Sequence, residues 1–180
     1  EIYINGVLQT VTRADSGSYV AMENLGAELK IGVQGTTYGE GLINNLKIFS
    51  AELTLAQIQE MYLNPEQILP TGVSSSNLKL YLPMNEGVGA YNYDGSGNQN
   101  HGTISGATWV KAETDIAQVG LVRQNKPMIF DGVDDYVNIP DTNDLDFGTG
   151  GFSLSCWFKG EESVDNYPSI VTTQHGWGSP

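Results

Sequence analysis

Residues 152–159 read FSLSCWFK, and their apolar members recur at every second position. Phe152, Leu154, Cys156 and Phe158 fall on one side of an extended chain, with Ser153, Ser155, Trp157 and Lys159 on the other. Successive side chains of a strand point to opposite faces, so the pattern predicts a strand whose first set faces a core. Cys156 on that face reads as a small buried hydrophobe rather than a reactive thiol.

The pattern recurs along the chain. Short apolar runs bounded by Gly, Asn and Asp predict further strands at 28–33, 42–49, 78–82, 128–130, 136–139 and 169–173, which is an all-β chain. Residues 1–12 hold the clearest hairpin: IYI, then Asn5-Gly6, then VLQTV. Asn-Gly suits a type I′ turn, whose two central residues both need positive φ. One short helix interrupts the strands. Thr54 and Gln57 form a capping box, and Leu53 and Ile58 are spaced as a hydrophobic staple. Leu55, Ile58, Met61 and Tyr62 make one apolar stripe before Pro65 ends it. Residues 64–77, NPEQILPTGVSSSN, read as a connector by their prolines, glycine and serines. That shift predicts two units, 1–67 and 78–180, joined by a linker at 68–77.

Composition narrows the partners. The chain has 180 residues, 39% of them hydrophobic, and a mean hydropathy of −0.23, which is ordinary globular material. No apolar run approaches the roughly 18–20 residues that a membrane helix needs. Twenty-one acids against eight bases give a formal charge of −13. Such a chain lacks the positive footprint that nucleic acid requires; it repels anionic membranes and favours cations. A single cysteine excludes an intrachain disulfide framework and a CxxC metal site.

Two stretches concentrate side-chain oxygens. Asp131, Asp134, Asp135, Asp141, Asp144 and Asp146 lie within sixteen residues, and Asp94, Ser96, Asn98 and Asn100 crowd an earlier loop. Ca²⁺ takes about six to eight such oxygens, and carboxylates packed together without bases repel unless a cation relieves them. The earlier loop is no EF-hand, since Gln99 and Ser105 stand where that pattern needs Gly and Glu. The competing reading is structural: Asp94, Asn98 and Asn100 make Asx turns and the later aspartates are solvated. Gly132 then serves a tight bend. His101 and His175 lack the partners of a zinc site, and His101 is expected to satisfy loop hydrogen bonds. Tyr91, Tyr93, Trp157 and Trp177 are candidates to stack on sugar rings, whereas Trp109 reads as packing.

These segments together resemble laminin-G-like modules of the concanavalin A-like lectin/glucanase superfamily. The opening of such a module is similar to LKLYLPMNEGVGAYNYDGSGNQNHGTISGATW at 78–109, then FDGVDDYVNIP at 130–140, then FSLSCWFK. Its close is similar to IYINGV, LKIGV and GLINNLKIFSAELTLAQIQEMY, at 2–7, 29–33 and 41–62, except that Asn44 stands where Asp is usual. The resemblance implies a jelly-roll β-sandwich with one short helix. It also implies Ca²⁺ bound through the two loops, with Asp94 and Asp131 as first ligands and Asn98, Asn100 and Asp134 beside them.

The order is tail first and head second. Either the chain is a window across two tandem modules, or tail and head close on each other as a circular permutant. The connector and the mid-pattern ends favour the window, whose unpaired strand edges would assemble with other chains. The glucanase strand Glu-x-Asp-x-Glu is absent; Glu113-Thr114-Asp115 has only its first spacing. The resemblance therefore implies no enzyme. It implies a non-catalytic carbohydrate-binding or adhesion module, calcium-assisted, in a large multi-domain protein of a cell or virion surface. Its partners would be a glycan or neighbouring modules. The alternative is a structural or decoration repeat of a virion, tail fibre or extracellular filament with no free ligand.

Overall fold

The structure, a computed structural model, describes residues 1–10, 26–110, 127–160 and 169–173. The strands are β1 (Tyr3–Ile4), β2 (Val7–Leu8), β3 (Leu29–Ile31), β4 (Val33–Gln34), β5 (Thr37–Tyr38), β6 (Glu40–Phe49), β7 (Leu78–Leu82), β8 (Tyr91–Asn92), β9 (Gly102–Ser105), β10 (Thr108–Trp109), β11 (Met128–Asp131), β12 (Tyr136–Ile139), β13 (Ser153–Gly160) and β14 (Val171–Thr173). A single α-helix among the described residues, α1 (Leu55–Leu63), lies between β6 and β7. Ten strands form two antiparallel sheets, and the fold is an all-β sandwich.

Strand β6 organises the first sheet. Along one edge it pairs with β13, and along the other it pairs first with β11 and then with β7. Strand β10 extends this sheet beyond β11. The second sheet runs β14-β3-β12-β9-β8. Chain order matches rank in the two sheets: β10 follows β9, β12 follows β11, β6 follows β3 across the small β4–β5 hairpin, and β14 follows β13. The core between them joins Leu29, Ile31, Ile43, Leu46, Ile48, Leu80, Leu82, Met128, Phe130, Val137 and Ile139. Fully burying one such side chain contributes about 1.5–3 kcal/mol.

The apolar residues of β6 do not keep strict alternation, and a bulge corrects the phase. Ile43 and Leu46 are three apart, which would place them on opposite faces. Ser155 opposes Lys47 and Trp157 opposes Asn44, so Asn45 and Leu46 together face Cys156. Asn45 takes φ 53° there. The extra residue returns Leu46 and Ile48 to the core face. Asn44, on the outer face, is 1% exposed and its amide has no hydrogen-bond partner.

The expected division at 68–77 is not what the sheets show. β6, from the first segment, is the central partner of β7, β11 and β13 from the second, and β3 lies between β12 and β14. Phe130, Leu46 and Ile48 share one core. The connector is a packed strap on the outer face of the first sheet. Asn45 Nδ2 donates to Pro65 O at 2.6 Å, and Lys47 Nζ donates to Gln67 O at 2.7 Å. Leu69 and Val73 join Phe49, Met61 and Leu78 in a second apolar cluster. Apolar residues among the turn formers make this segment a lid rather than a spacer.

Local expectations fare unevenly. Thr54 caps α1 with both halves of the capping box formed, and Asn5 and Gly6 take φ 52° and 73°, as a type I′ turn requires. The apolar stripe of α1 is only partly used: Met61 is buried, while Leu55 and Tyr62 are 49% and 40% exposed. Leu154, Cys156 and Phe158 do take the core side of β13, since Leu154 opposes Ile48 and Phe158 opposes Ile43. Cys156 packs against the core, and burial pushes its thiol up to about 12. Leu154 and Phe158 nevertheless stay 39% and 50% exposed. At their flank, among the described residues, the second sheet offers the three residues of β14 against the eight of β13.

Candidate functional site

The loop after β8 is tied to the free edge of β7. Phe49 opposes Leu78 while Ile48 opposes Leu80, so Lys79 is an extra residue whose carbonyl leaves the ladder. Asn98 Nδ2 and Asn100 Nδ2 donate to that carbonyl at 3.1 and 3.0 Å, and Ser96 Oγ lies 3.3 Å from it. Asn98 Nδ2 also reaches Leu78 O. On the same edge Tyr81 N donates to Asp94 Oδ1, and Gly95 N donates to Tyr81 O. Polar side chains here stand in for a neighbouring strand, satisfying an edge that water would otherwise have to serve.

Asp94 is the hub of this loop. Oδ1 accepts from Tyr81 N and Ser96 N, and Oδ2 accepts from Ser96 Oγ and Asn100 N. A carboxylate offers about four lone-pair sites, so these donors fill them. His101 supports the loop through Nδ1, which accepts the Asp94 N–H at 3.0 Å. The Asp94 carboxylate and the amide Nδ2 groups of Asn98 and Asn100 thus hold the loop to β7.

The β11–β12 connection is built differently. Asp131, Asp134 and Asp135 each place a carboxylate oxygen within 4.8 Å of the others. Gly132, at φ 79°, makes the bend that brings them together, and Asp131 Oδ1 accepts from Val133 N. Asp135 Oδ2 accepts from Asp131 N at 2.7 Å. Asp135 is 4% exposed and lies against Gly106 of the β9–β10 turn, where any Cβ would collide with its carboxylate. Burial pushes the Asp135 carboxyl above the ordinary range; the Asp131 N–H opposes this, and the charges of Asp131 and Asp134 reinforce it. An all-oxygen, anionic donor set of this kind fits a hard cation such as Ca²⁺, with backbone carbonyls or water completing the shell.

The two loops do not meet. Asp131 pairs with Glu40, whereas Asp94 bonds Tyr81, which pairs with Lys47. Those rungs lie about 20 Å apart along β6 at strand rise. A single ion cannot join Asp94 to Asp131. Asp135, rather than Asp94, completes the acidic group, and the sequence signal for it was the Asp134-Asp135 pair itself.

The aromatic candidates also divide. Tyr91 opens β8, the edge of the second sheet, and Tyr93 follows it; they are 51% and 58% exposed. Their rings are 6.4 Å apart, and Tyr93 meets His101 edge-on at 5.5 Å. Glu86 braces this strip, accepting from Tyr93 N and from Asn92 Nδ2. Tyr91 pairs with Thr103, three residues from Gly106, so the strip begins about 10 Å along β9 from the acidic group. Trp157 belongs elsewhere: it stacks on Tyr62 at 5.8 Å on the outer face of the first sheet. Trp109 packs against the core, and its Nε1 donates to Gly89 O. Trp177, His175, Glu113 and Asp115 lie outside the described residues. Among the described residues no helix is long and apolar enough to cross a membrane. Comparison of the chain with family models, curated proteins and solved structures finds no match.

Proposed function

We propose that the chain is a non-catalytic carbohydrate-binding or adhesion module, calcium-assisted, similar to the laminin-G-like modules of the concanavalin A-like superfamily. The observation that carries this reading is the exposed Tyr91–Tyr93 pair, held open on an edge strand by Glu86. Such rings present apolar faces to sugar C–H groups while their hydroxyls stay in water. The acidic group at Asp131, Asp134 and Asp135 supports the cation part, and the paired strand order of the two sheets supports the jelly-roll part. Placement on an extracellular, cell or virion surface belongs to the same reading. A glycan array with and without Ca²⁺ tests it. Tyr91→Ala and Tyr93→Ala are each expected to abolish the retained signal, and an array that stays blank in both conditions removes the reading. A second reading, a structural or decoration repeat, is favoured by the half-exposed Leu154 and Phe158.

A further inference from the structure

The free edge of β13 differs from the other sheet edges. It is eight residues long, and among the described residues nothing pairs with its side opposite β6. The edge of β7 is covered by the Asp94–Asn100 loop, whereas among the described residues nothing covers β13 and only Lys159 puts a charge on it. On its core side Leu154 and Phe158 are exposed at the open flank of the sandwich. Charge is placed unequally along it. Lys159 is exposed near one end, and the exposed side chain of Glu52 lies against Gly151 just before the other.

We infer that β13 pairs antiparallel with β13 of a second copy of this chain, about a two-fold axis at Cys156. That register sets Leu154 opposite Phe158 of the second copy, and Phe158 opposite its Leu154, so the two exposed apolar patches cover each other. It sets Lys159 opposite Ser153 of the second copy, beside its Glu52. Ser153 and Lys159 share the outer face, because they oppose Phe49 and Leu42 of β6. Two Lys–Glu contacts therefore form by symmetry, one at each end. The pairing is isologous and closes after two copies, consuming the edge that invites aggregation. It joins the two first sheets into one continuous sheet and leaves Tyr91 and Tyr93 free, since these lie on the other sheet. The inference deepens the assembly reading and is independent of any glycan.

Sedimentation equilibrium on the 180-residue chain tests it. A dimer is expected. Lys159→Glu and Glu52→Lys alone should each weaken it roughly tenfold, because two exposed pairs turn from attraction to repulsion. The doubly swapped chain should regain the original affinity. Both residues are exposed, so circular dichroism should show each variant folded. A monomer throughout the micromolar range overturns the pairing and the assembly reading together. An oligomer that ignores the single reversals, or is not restored by the double swap, overturns this register and leaves assembly through another surface standing.

Discussion

The Asp94–Asn100 loop and the Asp131–Asp135 turn look alike in sequence and do opposite work. Both are short, acidic, glycine-containing and rich in oxygens. In the first, a single carboxylate meets four N–H or O–H donors, and the amides beside it are spent on the Lys79 carbonyl. In the second, three carboxylates share two backbone N–H donors among the described residues. The ratio of donors to oxygens separates them. Where donors match oxygens, the loop is a structural clasp; where oxygens exceed donors, the surplus charge is open to a cation.

The largest effect that would break this contrast lies in the clasp. Asp94→Ala removes the acceptor of three backbone N–H groups, those of Tyr81, Ser96 and Asn100, and exposes the β7 edge. Leaving buried donors unsatisfied costs about 1–3 kcal/mol each where water cannot reach them. A total loss of about 3 kcal/mol is expected in urea melts, equal in calcium and in chelator. If the loss of stability vanished in EDTA, Asp94 would be a ligand after all and the two loops would be alike.

A smaller, opposite response is expected at the turn. Calcium at ten times its dissociation constant should stabilise the fold by about 1.4 kcal/mol, through mass action alone. Asp134→Ala should abolish that response. Asp134 is exposed, so this variant tests the ion with little disturbance of packing. Asp94→Ala should leave the response intact, though on a weaker fold. Thermal melts with Ca²⁺ and with EDTA decide it; identical curves for the parent chain would return the turn to solvated carboxylates.

The fold was more legible than the site. Alternation named β13 and its inner face, and short apolar runs bounded by turn residues named β3, β6, β7, β11 and β12, because strand burial is written at period two. Bulges were not so written. Ile43 and Leu46 out of phase, and Lys79 between Leu78 and Leu80, become intelligible only when a partner strand skips a residue. The strap at 64–77 misled because prolines and serines mark irregular backbone without saying whether it packs. Leu69 and Val73 were the overlooked signal. The Asp94 loop was legible only in its local half. Ser96 and Asn100 supply donors from within it, whereas Tyr81 N and the Lys79 carbonyl, which tie it to β7, lie more than a dozen residues earlier in the chain. Oxygens are visible in a sequence, and their distant partners are not.

The smallest expected effect sharpens the contrast by pH. The folded Asp135 carboxyl titrates above its unfolded value, first because it is buried and further because Asp131 and Asp134 are charged. Between those two values the folded state binds the extra proton, so this group's contribution to stability falls as pH rises through the window. Asp135→Asn keeps an acceptor for the Asp131 N–H and removes the charge. In chelator, that variant should therefore lose the acid-side gain and be the more stable chain at neutral pH. With Ca²⁺ the order should reverse, because the carboxylate repulsion that weakens the metal-free turn is also what holds the ion. Urea melts across the acid range, in both conditions, measure this. A parent chain whose stability rises with pH through that window, with the rise lost in Asp135→Asn, would mean that the carboxyl is paired with a donor, as Asp94 is. The two loops would then differ only in position.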